Sequence, residues 1–388
     1  MRRDTASARV QARIIAAGGD GALPDRVEAL VGEEAPLLGA RQRARVVGEV
    51  LAAVEGLGPL QPLLADPAVT DVLVNGPGPG KVWVERGGLL RKVPIDLSAA
   101  TIEHLIEKVV APLGLRVDRA SPVVDARLPD GSRVNAIVPP LAVDGPCLTI
   151  RRFGARTLPL DAFAPRSVAA LLAWAVVARL NLLVSGGTGA GKPTLLNALG
   201  AHIPPGERVV TVEDAAELRL PGEHVVRLEA RPANAEGAGE VKVRDLVRNA
   251  LRMRPDRILV GEVRGPEALD MLQAMNTGHE GSLSTCHANT PSDALRRVET
   301  MVLMGEVNLS LASVRSQLHS AVDLVVQVAR RPDGLRRVMA VAEVMPGAVG
   351  EGEECVRLLA DPDRVLALPE RRARVPWAPA PDPSWCES

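Results

Sequence analysis

Leu182-Leu183-Val184-Ser185-Gly186-Gly187-Thr188-Gly189-Ala190-Gly191-Lys192-Pro193-Thr194-Leu195-Leu196-Asn197-Ala198-Leu199 runs from an apolar strand through a glycine-rich turn into an amphipathic helix. That order is the context a phosphate-binding loop requires. Glycines let backbone N–H groups close around a polyphosphate, and the helix N-terminus adds the positive end of its dipole. Gly186, Gly191 and Lys192 stand at the spacing G-x-x-x-x-G-K, which sets Lys192 against the β- and γ-phosphates of a nucleotide. A glycine-rich turn with one exposed lysine is the plainer alternative, but it does not account for strand, loop, lysine and helix arriving in order.

One position departs from the pattern. The residue after the lysine is ordinarily Ser or Thr, whose hydroxyl binds Mg²⁺; here it is Pro193, and the hydroxyl comes one residue late, at Thr194. Proline removes the hydroxyl and a backbone N–H, and it biases Lys192 away from helical geometry. It is accepted in the first turn of a helix. A step of one residue rotates a side chain by about 100°, so Thr194 does not simply replace the lost ligand. The stretch Gly186, Gly187, Thr188, Gly189, Ala190, Gly191, Lys192, Pro193, Thr194 and Leu195 is therefore expected to bind nucleotide, with Mg²⁺-dependent hydrolysis weakened at Pro193.

The rest of the chain narrows the class. A length of 388 residues fits two or three domains, and 46% apolar residues supply an ample core. A net charge of −1 gives no global basic field, and 2% aromatics with no Tyr give no stacking platform, so nucleic acid is not an expected partner. Cys147, Cys286, Cys355 and Cys386 are scattered without a C-x-x-C, which fits a reducing cytoplasm and no zinc site. The charged N-terminus lacks the apolar core of a signal peptide, and the longest apolar run, Ala169 to Ala178, is too short to span a bilayer.

Four segments follow in order. Residues 1–55 read as an N-terminal arm, loose at first with a helix near Val10 to Ala17, then a helix over Ala40 to Val54. Residues 56–155 read as a small α+β domain: strands at Asp71 to Asn75 and Lys81 to Glu85, a helix over Ala100 to Val110, a hairpin about Pro129-Asp130-Gly131 and a strand at Cys147 to Arg152. Residues 156–345 alternate strand and helix from Val168, with Ser167 as its N-cap, to a strand at Arg336 to Val344, the pattern of a mostly parallel sheet with nucleotide at the carboxyl ends of its strands. Residues 346–388 form an extension rich in Pro, Glu and Arg, expected to be disordered from about Pro369. The fold class is thus α/β, a phosphate-loop domain preceded by a smaller α+β domain.

Three further stretches carry chemistry. Arg208 to Val212 is an apolar strand that ends in Glu213 and Asp214. Carboxylates there orient a water or hold a metal shell; a solvated acidic turn is an equal reading. Ile258-Leu259-Val260-Gly261-Glu262 is a second such strand, and Glu262 beside a γ-phosphate would polarise water or hold Mg²⁺ through water. Its plain alternative is an N-cap for the helix at Pro266. Gly278 to Asn289 holds His279 and His287, whose spacing is not that of a helical metal pair. His287 at a strand end either contacts phosphate or is a structural histidine.

Taken together, Gly186 to Leu199, Thr211 to Leu218, Arg254 to Gly265 and Thr277 to Asn289 resemble the Walker A, Asp box, Walker B and His box of the type II/type IV secretion ATPase superfamily. Gly58 to Leu64, Val74-Asn75-Gly76, Leu128 to Asn135 and Leu148 to Phe153 resemble its CpaF-type branch, which powers Tad/Flp pilus assembly. The resemblance spans Leu57 to Val344. It implies a RecA-like ATPase domain and a cytoplasmic homohexamer, docked on platform proteins at the inner face of the cytoplasmic membrane. ATP and Mg²⁺ would be its cofactors. By motif, Lys192 binds phosphate, Glu213 is the Asp-box acid, Glu262 the Walker B acid and His287 the His-box residue, while Arg133, Arg151 and Arg152 lie in segments that supply arginines to the phosphates. The metal would meet Glu262 and Glu213 through water, with Thr194 as a further candidate. The chain departs from the family at Pro193, and more mildly at Ala190. A weakly hydrolysing ring subunit is the competing reading that Pro193 keeps open.

Overall fold

A computed structural model describes residues 3–17, 22–128, 130–152, 158–231, 233, 238–305, 309–345 and 355–387. The chain divides into two compact units, Met1–Phe153 and Gly154–Ser388. The expected domain boundary at 155–156, Phe153 of the last N-terminal motif, Pro129 of the hairpin and Pro346 lie outside the described residues.

The first unit begins with three helices, α1 (Arg3–Ala17), α2 (Leu23–Glu34) and α3 (Ala40–Val54). They bury Val10, Ile14, Val27, Val31, Val46 and Val50 against one another. The expected loose arm is therefore a helical bundle. Each helix buries only two or three apolar residues, so it reads weakly alone and is held by its neighbours.

After α4 (Gln61–Ala65) come β1 (Val69–Val74), β2 (Gly78–Pro79), β3 (Val82–Arg86), β4 (Leu89–Lys92), β5 (Asp96–Leu97), α5 (Ala99–Val110), β6 (Val123–Arg127), β7 (Arg133–Ile137) and β8 (Cys147–Arg151). Six of these strands make an antiparallel sheet in the order β4-β3-β1-β8-β7-β6. Helix α5 starts at Ser98, whose hydroxyl accepts the Thr101 N–H at 3.1 Å. It packs Ile102, Leu105, Ile106 and Val109 on Val72, Val84, Leu148 and Ile150. Near its end Lys108 donates from Nζ to the carbonyls of Ala53, Val54 and Gly56 at 2.7–2.8 Å. One ammonium thus satisfies carbonyls that the end of α3 leaves without helical donors, and its charge suits that end of the dipole.

The second unit runs α6 (Arg166–Val177), β9 (Leu182–Ser185), α7 (Lys192–Gly200), β10 (Val209–Glu213), β11 (Val225–Glu229), α8 (Val243–Ala250), β12 (Arg257–Val260), α9 (Glu267–Asn276), β13 (Leu283–Cys286), α10 (Pro291–Leu303), α11 (Leu311–Ala321), β14 (Leu324–Arg330), β15 (Arg336–Val344) and β16 (Val356–Ala360). The sheet order is β11-β10-β12-β13-β9-β14-β15-β16, parallel from β11 through β14 and antiparallel beyond. Strand residues alternate between two cores. Leu182 and Val184 meet α6 and α7 on one face, while Leu183, Ile258 and Val260 meet α8 to α11 on the other. Strand β9 lies between β13 and β14, which puts the loop after it at the switch point of the sheet.

Two local expectations need correction. Helix α6 begins at Arg166 after Pro165 and has no side-chain cap, so Ser167 is already inside the helix. The segment from Pro369 is ordered against the domain. Arg371 and Arg374 reach the buried Asp323 at 3.2 and 2.9 Å, and the Trp174 indole N–H donates to the Pro379 carbonyl at 2.7 Å. Trp385 meets Trp174 edge-on with centroids 6.3 Å apart, and Val375 is buried. Composition alone did not show this strap, because its order comes from arginines matched to buried acids and a few well-placed apolar side chains. No described helix is long and apolar enough to cross a membrane.

Candidate nucleotide site

Strand β9 is buried along its length and ends at Ser185. The turn that follows needs glycine twice for reasons visible in the fold. A Cβ on Gly186 would collide with the Val328 carbonyl of β14, and Gly191 has φ +90° where α7 begins. Ala190 is buried under the loop.

Lys192 is the first residue of α7 and 6% exposed. The expected bias of Lys192 out of helical geometry is therefore not realised. Pro193 sits within the first turn, where no preceding helical turn contributes a carbonyl for its ring to meet. Lys192 Nζ folds back on its own loop, donating to the Gly186 carbonyl at 3.0 Å and the Gly187 carbonyl at 3.3 Å.

Two strand-end residues converge on that ammonium. His287, one residue past β13, brings Nε2 to 3.3 Å from Lys192 Nζ. Glu262, two residues past β12, brings Oε1 to 3.8 Å from the same Nζ and 2.8 Å from His287 Nε2. Glu262 Oε1 is nonetheless buried without a hydrogen bond. The other oxygen, Oε2, accepts from Arg264 Nε at 2.8 Å and from its Nη2. The capping alternative for Glu262 fails, because Glu267 accepts the Gly265 and Arg264 N–H groups at 2.8 and 2.6 Å in that role.

Burial pulls the Lys192 ammonium pKa down, against the opposing charge of Glu262. Burial, then the Lys192 charge, pulls His287 below the ordinary imidazole value. His287 is thus a neutral ring at neutral pH, beside one cation and one anion.

Glu213 sits differently. It lies behind Gly261, where a Cβ would approach its Cγ at 2.7 Å. Its carboxylate accepts the Glu217 and Leu218 N–H groups at 2.9 to 3.2 Å, closing the turn after β10. Burial pushes its pKa up to about 7, outweighing those two amides. Asp214 stands outside, 3.7 Å from Arg264.

Gln327 was not legible in the sequence. On β14 it accepts the Ser185 hydroxyl and donates to the Ala288 carbonyl at 3.2 Å, tying the strand before the loop to the residue after His287. Its only sequence signal is one amide inside the apolar run Leu324 to Ala329.

In the first unit, Arg133 and Arg151 are cross-strand neighbours, and Arg151 Nε lies 3.0 Å from Asp71. Arg152 is held apart from them. Its guanidinium donates to the Asp66 carbonyl and to the Val69 carbonyl at 3.0 Å, and its N–H to the Thr70 carbonyl at 2.7 Å.

The model of the type II/IV secretion system protein family matches residues 53–355. A Mycobacterium tuberculosis protein with a provisional conjugal-transfer name is 46% identical over 299 residues, 74% of this chain and 84% of the relative. The type IV secretion system protein PtlH of Bordetella pertussis is 38% identical over 315 residues, 72% of this chain and 91% of that one. Among solved structures, the ATPase DotB of Yersinia pseudotuberculosis shares the fold, with a TM-score of 0.54 at 19% identity over 73% of this chain and 77% of that one.

Proposed function

Since the chain belongs to the type II/IV secretion system protein family, we propose that it is an ATP-hydrolysing motor of a secretion or pilus machine, working from the cytoplasmic face of the membrane. One observation carries this reading: Lys192, Glu262 and His287 meet within 4 Å at the mouth of a glycine loop that leads into a helix. Loop N–H groups and the α7 N-terminus cradle the phosphates. Lys192 exchanges two backbone carbonyls for phosphate oxygens, a stronger, charge-assisted contact.

Glu262 Oε1 is a buried acceptor without a hydrogen bond, which supports a role in accepting from the attacking water and orienting it. Neutral His287 adds a polar contact that does not oppose Lys192 by charge. Magnesium would neutralise charge developing on the β,γ-phosphate oxygens. The same Oε1 suits a metal-bound water. Glu213 fits that role less well, because loop amides already occupy its oxygens. Pro193 offers no hydroxyl, and Thr194 is the next in sequence.

The CpaF-type motifs of the first unit support a pilus-assembly branch, a homohexameric ring and platform proteins of the inner membrane as partners. By motif Arg133, Arg151 and Arg152 are the candidates to meet phosphate in that assembly. A second reading, a ring subunit that binds nucleotide but hydrolyses it weakly, is favoured by Pro193 in the first turn of α7. Titration calorimetry with ATP tests the common ground. Lys192→Ala is expected to abolish measurable binding, and unchanged affinity would remove the phosphate-loop assignment.

A further inference from the structure

The hairpin joining β14 to β15 reads Arg330-Arg331-Pro332-Asp333-Gly334-Leu335-Arg336, three arginines against one acid. It ends over the phosphate loop. A Cβ on Gly191 would collide with Cδ of Arg336, and its Nε would lie 3.0 Å away. Arg336 Nε donates to the Gly189 carbonyl at 3.4 Å. That long bond uses one of five guanidinium donors. Among the described residues Arg336 has no carboxylate partner, whereas Arg331 has Asp333 at 3.7 Å. Gly191 therefore serves two ends: it takes the positive φ that starts α7, and it leaves room for the Arg336 stem.

We infer that Arg336 is a phosphate-contacting residue of the nucleotide site, closing the loop from the side opposite Glu262 and His287. This rests on the nucleotide reading above. Lys192 meets phosphate from inside the loop, and Arg336 meets it from the rim, exchanging the Gly189 carbonyl for phosphate oxygens. A planar fork suits that contact, since it can bind two oxygens at once. The arginine comes from the same chain and the same compact unit as the loop, so it acts without a neighbouring subunit.

Binding of ATP, pyrophosphate and adenosine to wild type, Arg336→Ala, Arg336→Lys and Arg331→Ala tests this by titration. Loss of a charge-assisted contact predicts that Arg336→Ala weakens ATP and pyrophosphate by about tenfold or more. Arg336→Lys should recover part of the loss, and adenosine affinity should not change. Arg331→Ala removes the same charge from the same hairpin and should leave all three ligands unaffected. Circular dichroism melting on each variant reports whether the hairpin still folds, and Arg336→Lys carries the test if Arg336→Ala melts early. Equal ATP affinity in wild type and Arg336→Ala overturns the inference, as does an equal loss in Arg331→Ala, which would make the effect one of general charge. A wild type that binds neither ATP nor pyrophosphate overturns the nucleotide reading itself.

Discussion

His287 Nε2 lies 2.8 Å from Glu262 Oε1, yet the two form no aligned hydrogen bond, and Lys192 Nζ stands 3.3 Å from the same ring nitrogen. A neutral imidazole between a cation and an anion can serve only one of them through that nitrogen, the lysine if Nε2 is bare and the carboxylate if it carries the proton. Glu262 Oε1 is buried with no aligned donor. Drawing Lys192 onto phosphate would release His287 Nε2 at the same moment.

His287→Ala is accordingly expected to keep ATP affinity within a few-fold while lowering steady-state turnover by about tenfold or more, the scale of a lost positioned polar group. Measured Kd and kcat separate the two effects. A fall in affinity with unchanged kcat would make His287 a binding residue only.

Pro193→Thr is expected to raise Mg²⁺-dependent turnover by about tenfold, since a charge-assisted contact worth about 1.5–3 kcal/mol is restored where the reaction develops charge. Phosphate release at saturating ATP and Mg²⁺ compares the two proteins. Equal rates would show that the first turn of α7, which already accommodates the proline, needs no hydroxyl there.

Glu213 predicts a pH dependence of stability. Its folded pKa of about 7 lies above the ordinary 4.5, so the folded state binds the proton more tightly. Its contribution is fully present below about pH 4.5 and is lost as pH rises through about 7, for a change of about 3 kcal/mol. Glu213→Gln should gain in Tm relative to wild type between pH 5 and 8. Parallel Tm curves would mean the carboxyl is ionised throughout.

The candidate site was legible where its residues are contiguous and the strand–loop–helix order is local, as for Gly186 to Leu195, or where a carboxylate follows an apolar strand, as for Glu262. Sequence could not show that Glu213 turns inward to hold the amides of Glu217 and Leu218, because an acid at a strand end has the same spelling whether it faces ligand or loop. Arg336, Gln327 and Lys108 act across distances of tens to more than a hundred residues, and no local period marks such contacts. The strap after Pro369 was hidden for the same reason. Its arginines mean little until Asp323 is seen to be buried.

Replacing Arg371 and Arg374 together by Ala leaves the Asp323 carboxylate, 1% exposed, without its cations. Breaking a buried pair from one side typically destabilises by about 3–5 kcal/mol. Urea denaturation should show a lower midpoint, and adding Asp323→Asn should restore part of it. An unchanged midpoint would make the strap an accessory.

The central claim, that this chain binds ATP and uses Glu262 to hydrolyse it, is tested most directly by single-turnover hydrolysis of ATP with Mg²⁺ by wild type and Glu262→Gln. Wild type is expected to release phosphate, while Glu262→Gln binds ATP with near-parental affinity and retains it unhydrolysed. Turnover by Glu262→Gln at the parental rate would contradict the account.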